Sequence, residues 1–232
     1  MASEPDTARY QAGALAARIG AAVGIAGEGV MISGAVSAIG VCLFLVGFRF
    51  FGLIAVAFAV AVGMFFRDPD RSPPRTGDVV ISGADGKVTD VADAVFPGET
   101  GRMYHRVSVF MSPLNVHVNR AVAGGEVTMI EHTHGEFRAA FRDDASLHNE
   151  RNLIVLTDPK GRIFGMLQVA GYLARRIVCR LRVHDRVEAG QRVGLIMFGS
   201  RVDHFFPAEF TVQVRIGDRV RAGETVLGAV ES

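Results

Sequence analysis

Ser200 is the residue of this sequence best placed to do chemistry. A strand-like LIMF and Gly199 lead into it, and RVD and HFFP lead away, so its hydroxyl stands at a strand end beside a tight turn. Such a serine is ordinarily only a turn hydroxyl. As a nucleophile it needs a base within hydrogen-bonding reach and a carboxylate to orient that base. His117, which alternates with Val116 and Val118 along a strand, and Asp85, in the glycine-flanked turn ADGK, are the candidates. A turn carboxylate and a satisfied buried histidine are the bland readings of the same two residues. His105, His132, His134 and His204 are weaker alternatives for the base. The surroundings of Ser200 lack the G-x-S-x-G elbow of serine hydrolases. Metal chemistry is not expected: the HTH at 132–134 has no third ligand in view, and Cys42 and Cys179 form no CxxC.

The elements that must hold these residues are strands. After residue 78 the chain runs in short alternating segments punctuated by glycine: DVVISGADGKVTDV, RVSVFMS, NVHVNRAV, GGEVTMIEH, NLIVLTD and RIFGMLQVAG. The best helix candidate in this part is Ala170 to Arg182, interrupted by the β-branched Ile177 and Val178. LRVHDRVEAGQRVGLIM (181–197) repeats as VRIGDRVRAGETVLGAV (214–230), offset by 33 residues. The form V-x-x-G-D-x-V-x-x-G-x-x-V is the hairpin pattern of barrel-sandwich carriers. A carrier needs a lysine at a hairpin tip, and neither Lys87 nor Lys160 lies in a repeat, so the repeats read as scaffold. The fold class expected is mainly β (α+β): an antiparallel, sandwich-like or barrel-sandwich-like body with few helices, preceded by a hydrophobic helical hairpin.

That hairpin occupies residues 30–66, where Arg49 is the only charge. A span needs about 20 apolar residues, so this run suits two short helices broken near Gly47 to Gly52. Arg9 and Arg18 precede it, and Arg67, Arg71 and Arg75 follow, which places both ends on the cytoplasmic side of the cell (inner) membrane. The start is too late and the run too long for a signal peptide. Residues 1–29 then form a cytoplasmic segment, 67–78 a linker rich in Pro, Arg and Asp, and 79–232 the catalytic body. A net charge of +1 with 21% charged residues gives no sign of a nucleic-acid partner.

Six blocks, FRDPDRSPP (66–74), SGADGKV (82–88), VFMSPLNVHVNR (109–120), HNERN (148–152), QVAGYLARRIVCRL (168–181) and FGSRVDHFFP (198–207), resemble in order those of the short bacterial and archaeal phosphatidylserine decarboxylases. The likeness covers roughly residues 30–230. It departs at RAVAGG, where a proline is usual, and at His148, where an acidic residue is.

The resemblance implies a zymogen that cuts itself between Gly199 and Ser200 into a β chain (1–199) and an α chain (200–232), which stay together as a heterodimer. The Ser200 hydroxyl attacks the Gly199 carbonyl and the amide becomes an ester. Loss of the Ser200 α-proton then expels the Gly199 carboxylate, and the dehydroalanine left behind hydrolyses to a pyruvoyl group and ammonia. This covalent pyruvoyl is the implied cofactor, in place of pyridoxal phosphate and without a metal. It implies decarboxylation of phosphatidylserine to phosphatidylethanolamine through a Schiff base, with His117 as a proton donor. Arg175, Arg176 and Arg180 offer cations for the lipid head group. Three rival readings remain: a pyruvoyl decarboxylase of a soluble amino acid, a membrane-tethered carrier or adaptor, and a serine hydrolase. The apolar hairpin, the missing carrier lysine and the missing elbow argue against them in turn.

Overall fold

The computed structural model describes residues 15–74, 78–98, 101–135, 149–171, 176–197 and 200–230. It divides into two compact units, Met1–Asp70 and Arg71–Ser232.

The first unit is helical. Helix α1 is described over residues 15–23, α2 spans Gly27–Leu45 and α3 Arg49–Phe65. α2 is long and apolar enough to cross a membrane, and α3, with 17 residues, is shorter. At 1.5 Å per residue they are about 28 and 25 Å long, close to a hydrocarbon core. Their outward surface is almost wholly apolar, with Leu45, Phe50, Leu53 and Phe58 well exposed. Small residues line the helix contact instead. A Cβ on Gly52 would lie 2.7 Å from the Gly40 carbonyl oxygen, so the two backbones touch where no side chain intervenes. The break comes at residues 46–48, and Arg49 is exposed beside it at the hairpin tip. The base is clasped by Ala26 N–H donating to Phe66 O (2.7 Å) and Asp68 N–H to Gly24 O (2.6 Å).

The second unit is the expected antiparallel β body. Its strands are β1 (Val79–Ile81), β2 (Gly86–Val95), β3 (Met103–Met111), β4 (Val118–Arg120), β5 (Gly125–Thr133), β6 (Arg151–Thr157) and β7 (Ile163–Val169). They continue as β8 (Ile177–Cys179), β9 (Arg186–Val187), β10 (Arg192–Ile196), β11 (Ser200–Pro207), β12 (Thr211–Val212), β13 (Arg219–Val220) and β14 (Val226–Ala229). A curled eight-stranded sheet runs β13-β2-β3-β11-β7-β6-β5-β9, flanked by β1-β14-β12 and β4-β10-β8. Strand alternation splits the core. Val107, Val109, Ile154, Met166, Val202 and Phe206 face one cluster, while Phe96, Tyr104, Leu153, Leu167, Val169 and Phe205 face the other.

The repeats fold alike. β9 and β13 close opposite edges of the large sheet, and β10 and β14 enter the two small sheets. His184 (φ 75°) takes the left-handed place that Gly217 (φ 101°) holds 33 residues later, and Gly190 (φ 81°) matches Gly223 (φ 78°). Asp185 and Asp218 each accept at Oδ2 from the backbone N–H three residues before, Arg182 and Arg215. These turns are therefore set by local sequence.

The helix expected over Ala170–Arg182 is corrected at its C-terminal part, where Ile177–Cys179 is strand β8. Two β-branched residues favour the pleat, and Gly194 on β10 lets the Val178 carbonyl approach to where a Cβ would sit.

Candidate functional site

Ser200 is the first residue of β11 and fully buried (0%), paired in register with Met111 at the end of β3. Its Oγ–H donates to Met111 Sδ at 3.5 Å, a weak acceptor. Gly199, on the other side of the candidate scissile bond, lies outside the described residues.

His117 precedes β4 and is 1% exposed. The turn before it is closed by Asn115 N–H donating to Ser112 O (2.9 Å) and by Asn115 Oδ1 accepting from Ser112 N–H and Oγ–H. The Asn115 carbonyl then receives the His117 Nδ1–H at 2.9 Å. A carbonyl cannot donate, so Nδ1 carries a proton and Nε2 is the nitrogen left to act as a base. The acceptor described for the ring's Nδ1–H is thus a main-chain oxygen. The backbone links His117 to the strand that leads toward Ser200, since Ile196 N–H donates to its carbonyl at 3.3 Å.

Asp85 is 8% exposed, and its carboxylate is held at both oxygens: Oδ1 by the Ala222 N–H (2.7 Å) and Oδ2 by Arg71 (3.0 Å). Arg71 also reaches Glu224 at 3.0 Å. The second repeat therefore fixes Asp85, and Arg71, which the sequence assigns to a structureless linker, is part of the body. The first repeat holds the other candidate's strand. Ala121 N–H donates to Gln191 O and Gly190 N–H to Ala121 O, at 2.8 and 2.9 Å.

The loop carrying Asp85 is tied to β4 and to β11. Gly83 O accepts from Arg120 N–H (2.9 Å) and Asn119 Nδ2–H (3.3 Å), while Gly83 N–H donates to His204 Nε2 at 2.9 Å on the same strand as Ser200. Asp85 immediately precedes β2, whose Lys87 pairs with Phe110, and His117 immediately precedes β4, whose Asn119 lies 3.6 Å from Met111 Sδ, so both candidates border the end of β3 that pairs with Ser200.

His204 is the alternative base most fully engaged, because its Nδ1–H also donates to Val107 O (2.9 Å). Burial pushes its pKa down to about 4, against the smaller raising effects of the Val107 carbonyl and the Asp203 charge. The folded value lies below the unfolded 6.5, so the unfolded chain binds the extra proton. Stability is complete above about pH 6.5 and lost as pH falls toward 4, by up to about 3 kcal/mol. Urea midpoints of the detergent-solubilised chain at pH 7 and pH 4.5 measure this, and His204→Asn is expected to flatten the slope. His105 pairs with Asp93 (2.6 Å) and lies opposite Phe206, well along β11 from Ser200, while His132 contacts Glu150 (3.2 Å) and is in register, through Asn152 and Gln168, with Val202, but three strands away from β11. Among the described residues no group of three or more His, Cys, Asp or Glu is arranged to hold a metal ion.

Arg175 lies outside the described residues. Arg176 and Arg180 flank β8 and are exposed, and the Arg176 carbonyl accepts from Met197 N–H (3.2 Å), three residues before Ser200. Sequence reasoning missed Met111, which contacts Ser200, and the buried amides Asn119, Gln168 and Asn152 that hydrogen bonds connect to it. The available signal was a polar residue in register with apolar ones: Gln168 follows Phe164 and Met166 on one face of β7, and Asn152 precedes Ile154 and Leu156 on β6.

Comparison with known proteins fixes the class. The profile of the family described as phosphatidylserine decarboxylase matches residues 58–228. The phosphatidylserine decarboxylase proenzyme of Gluconobacter oxydans is 49% identical over 183 residues, 77% of this chain and 81% of that one. That of Chlorobium chlorochromatii is 45% identical over 174 residues (75% and 81%), and that of Anaplasma phagocytophilum 45% over 199 (84% and 88%). The chain is a carboxy-lyase by kinship. It belongs to the phosphatidylserine decarboxylase family.

Proposed function

We propose that this chain is a proenzyme that cuts itself between Gly199 and Ser200 and then decarboxylates phosphatidylserine to phosphatidylethanolamine at a membrane. The observation that carries the reading is the fully buried Ser200 hydroxyl at the head of β11, held among the described residues by a thioether, in a chain of this family. As the donor in this bond the hydroxyl keeps its lone pairs free for attack on the preceding carbonyl, and so weak an acceptor lets its proton pass to a base. His117 Nε2 is the proposed base for that proton, and the Asn115 carbonyl keeps the ring in the competent tautomer. Asp85, anchored by Arg71 and Ala222, supplies the negative charge at this end of the body.

The pyruvoyl group proposed to arise from Ser200 has the three-carbon skeleton of the serine it replaces, so the closed niche opposite Met111 fits it without added volume. Its ketone supplies the electron sink for loss of carbon dioxide from an amino acid. The chain's own residues do the rest. Burial excludes water, His117 is the proposed donor of a proton to the substrate carbon, and Arg176 and Arg180, with Arg175, are the proposed guanidinium partners of the phosphate and carboxylate of the lipid.

The products proposed are a β chain of 1–199 and an α chain of 200–232 that remain associated. β11 supports this, because as part of the α chain it would stay paired along its length between β3 and β7. The proposed location is the cytoplasmic face of the cell (inner) membrane, with the apolar hairpin as anchor. Incubation with phosphatidylserine vesicles and, separately, free serine tests the substrate class. Phosphatidylethanolamine should form from the lipid, with free serine turned over at least about a hundred-fold more slowly for lack of the lipid's remote binding energy. Equal turnover of the two would replace the lipid reading with that of a soluble amino-acid decarboxylase.

A further inference from the structure

A row of three buried side-chain amides leads to the Ser200 niche. Asn152 on β6 and Gln168 on β7 are directly opposite in register, and Asn152 Nδ2–H donates to Gln168 Oε1 at 2.8 Å. Gln168 Nε2–H donates in turn to Asn119 Oδ1 at 2.8 Å. Asn119 Nδ2 donates to Gly83 O (3.3 Å) and lies 3.6 Å from Met111 Sδ, the same sulfur that accepts from Ser200 Oγ. All three amides are at most 1% exposed.

One atom sets the sense of the row. Gly83 O is a carbonyl and only accepts, so Asn119 must turn its NH2 toward it and its oxygen toward Gln168. That forces the NH2 of Gln168 toward Asn119 and its oxygen toward Asn152. The amides are therefore polarised in one direction, ending in a donor edge beside Met111. Methionine has three rotatable side-chain bonds and no strong preference in a core. The Asn119 N–H, itself fixed through Gln168, gives the sulfur one position, and the sulfur gives the Ser200 hydroxyl one direction.

We propose that Asn119, Gln168 and Met111 are positioning residues for self-processing at Ser200, with Met111 acting as a hydrogen-bond acceptor and not merely as core volume. This rests on the proposed scission at Gly199-Ser200. The two roles for Met111 order a pair of variants oppositely. If packing alone matters, Met111→Leu is mild and Met111→Gln severe, since leucine conserves apolar volume. If the acceptor matters, Met111→Gln, whose amide oxygen can receive both donors, should process within about threefold of the wild type. Met111→Leu should then slow at least about tenfold, because small misplacements of a nucleophile carry large rate costs.

The experiment follows conversion of the freshly synthesised full chain into two species by intact mass over time. Each substitution is also placed in the uncut Ser200→Ala background, where its melting temperature reports folding alone. Slow Met111→Leu and Gln168→Leu with melting temperatures near the parent, and Met111→Gln faster than Met111→Leu, are the expected results. Met111→Leu at the wild-type rate overturns the proposal, and this stands whether or not Met111→Gln folds. A wild-type chain that is never cut removes the scission reading and this inference with it; a cut wild type with indifferent variants removes the inference alone.

Discussion

Ser200→Ala is expected to leave the 232-residue chain in one piece and to lower phosphatidylserine decarboxylation at least about a thousand-fold, by the scale of losses seen when an enzyme's nucleophile is removed. Both losses follow from one hydroxyl. Without it nothing adds to the Gly199 carbonyl, and no ketone is available to accept the electrons of the departing carboxylate. The substitution itself is mild for the fold. Ser200 is fully buried, and the bond it gives up is to a thioether at 3.5 Å. Loss of a buried serine hydroxyl whose described partner is a thioether costs stability little, on the order of 1 kcal/mol. The variant should therefore melt near the parent while doing no chemistry, which separates a catalytic from a structural role. Electrophoresis of the purified variant beside a lipid assay gives both readings, and phosphatidylethanolamine made by an uncut variant would remove Ser200 from the account.

His117→Gln is expected to have the next largest effect, slowing self-cleavage by about 10²- to 10⁴-fold, the usual contribution of a positioned general base. Glutamine keeps a donor for the Asn115 carbonyl but has no nitrogen that can take a proton at Nε2. Asn115 reaches the ring by its main-chain oxygen, so no substitution of its side chain removes that acceptor directly. Asn115→Ala should instead act through the turn, by deleting the oxygen that receives both Ser112 donors. Time courses of chain scission measure the effect. His117→Gln cut at the wild-type rate would leave His117 as a buried histidine satisfied by its turn.

Much of the fold was legible because strands announce themselves locally. Alternation in RVSVFMS and RIFGMLQVAG gives β3 and β7 and tells which residues share a face. The 33-residue repeat gave matching turns, down to His184 standing where its counterpart is glycine. What was not legible depends on partners far along the chain. Arg71 sits among prolines and aspartates and reads as solvated linker until Asp85 and Glu224 close on it. Ile177–Cys179 lies in a segment that reads as helix, and only pairing with β10 decides for the strand. The candidate site shows the same division. Ser200, His117 and Asp85 stand out by residue type and neighbours, whereas the ring's orienting acceptor is a carbonyl, which has no letter in the sequence. Asn119, Gln168 and Asn152 each look like an ordinary strand amide, and they become a row only when β4, β6 and β7 are folded against one another.

The most direct test of the central claim is the intact mass of the wild-type protein, purified in detergent and denatured just before measurement. Two species should appear: residues 1–199 with a free carboxyl terminus, and residues 200–232 lacking a free amine and carrying the mass of a pyruvoyl group in place of Ser200. A single chain of 232 residues, folded and uncut, would contradict the account.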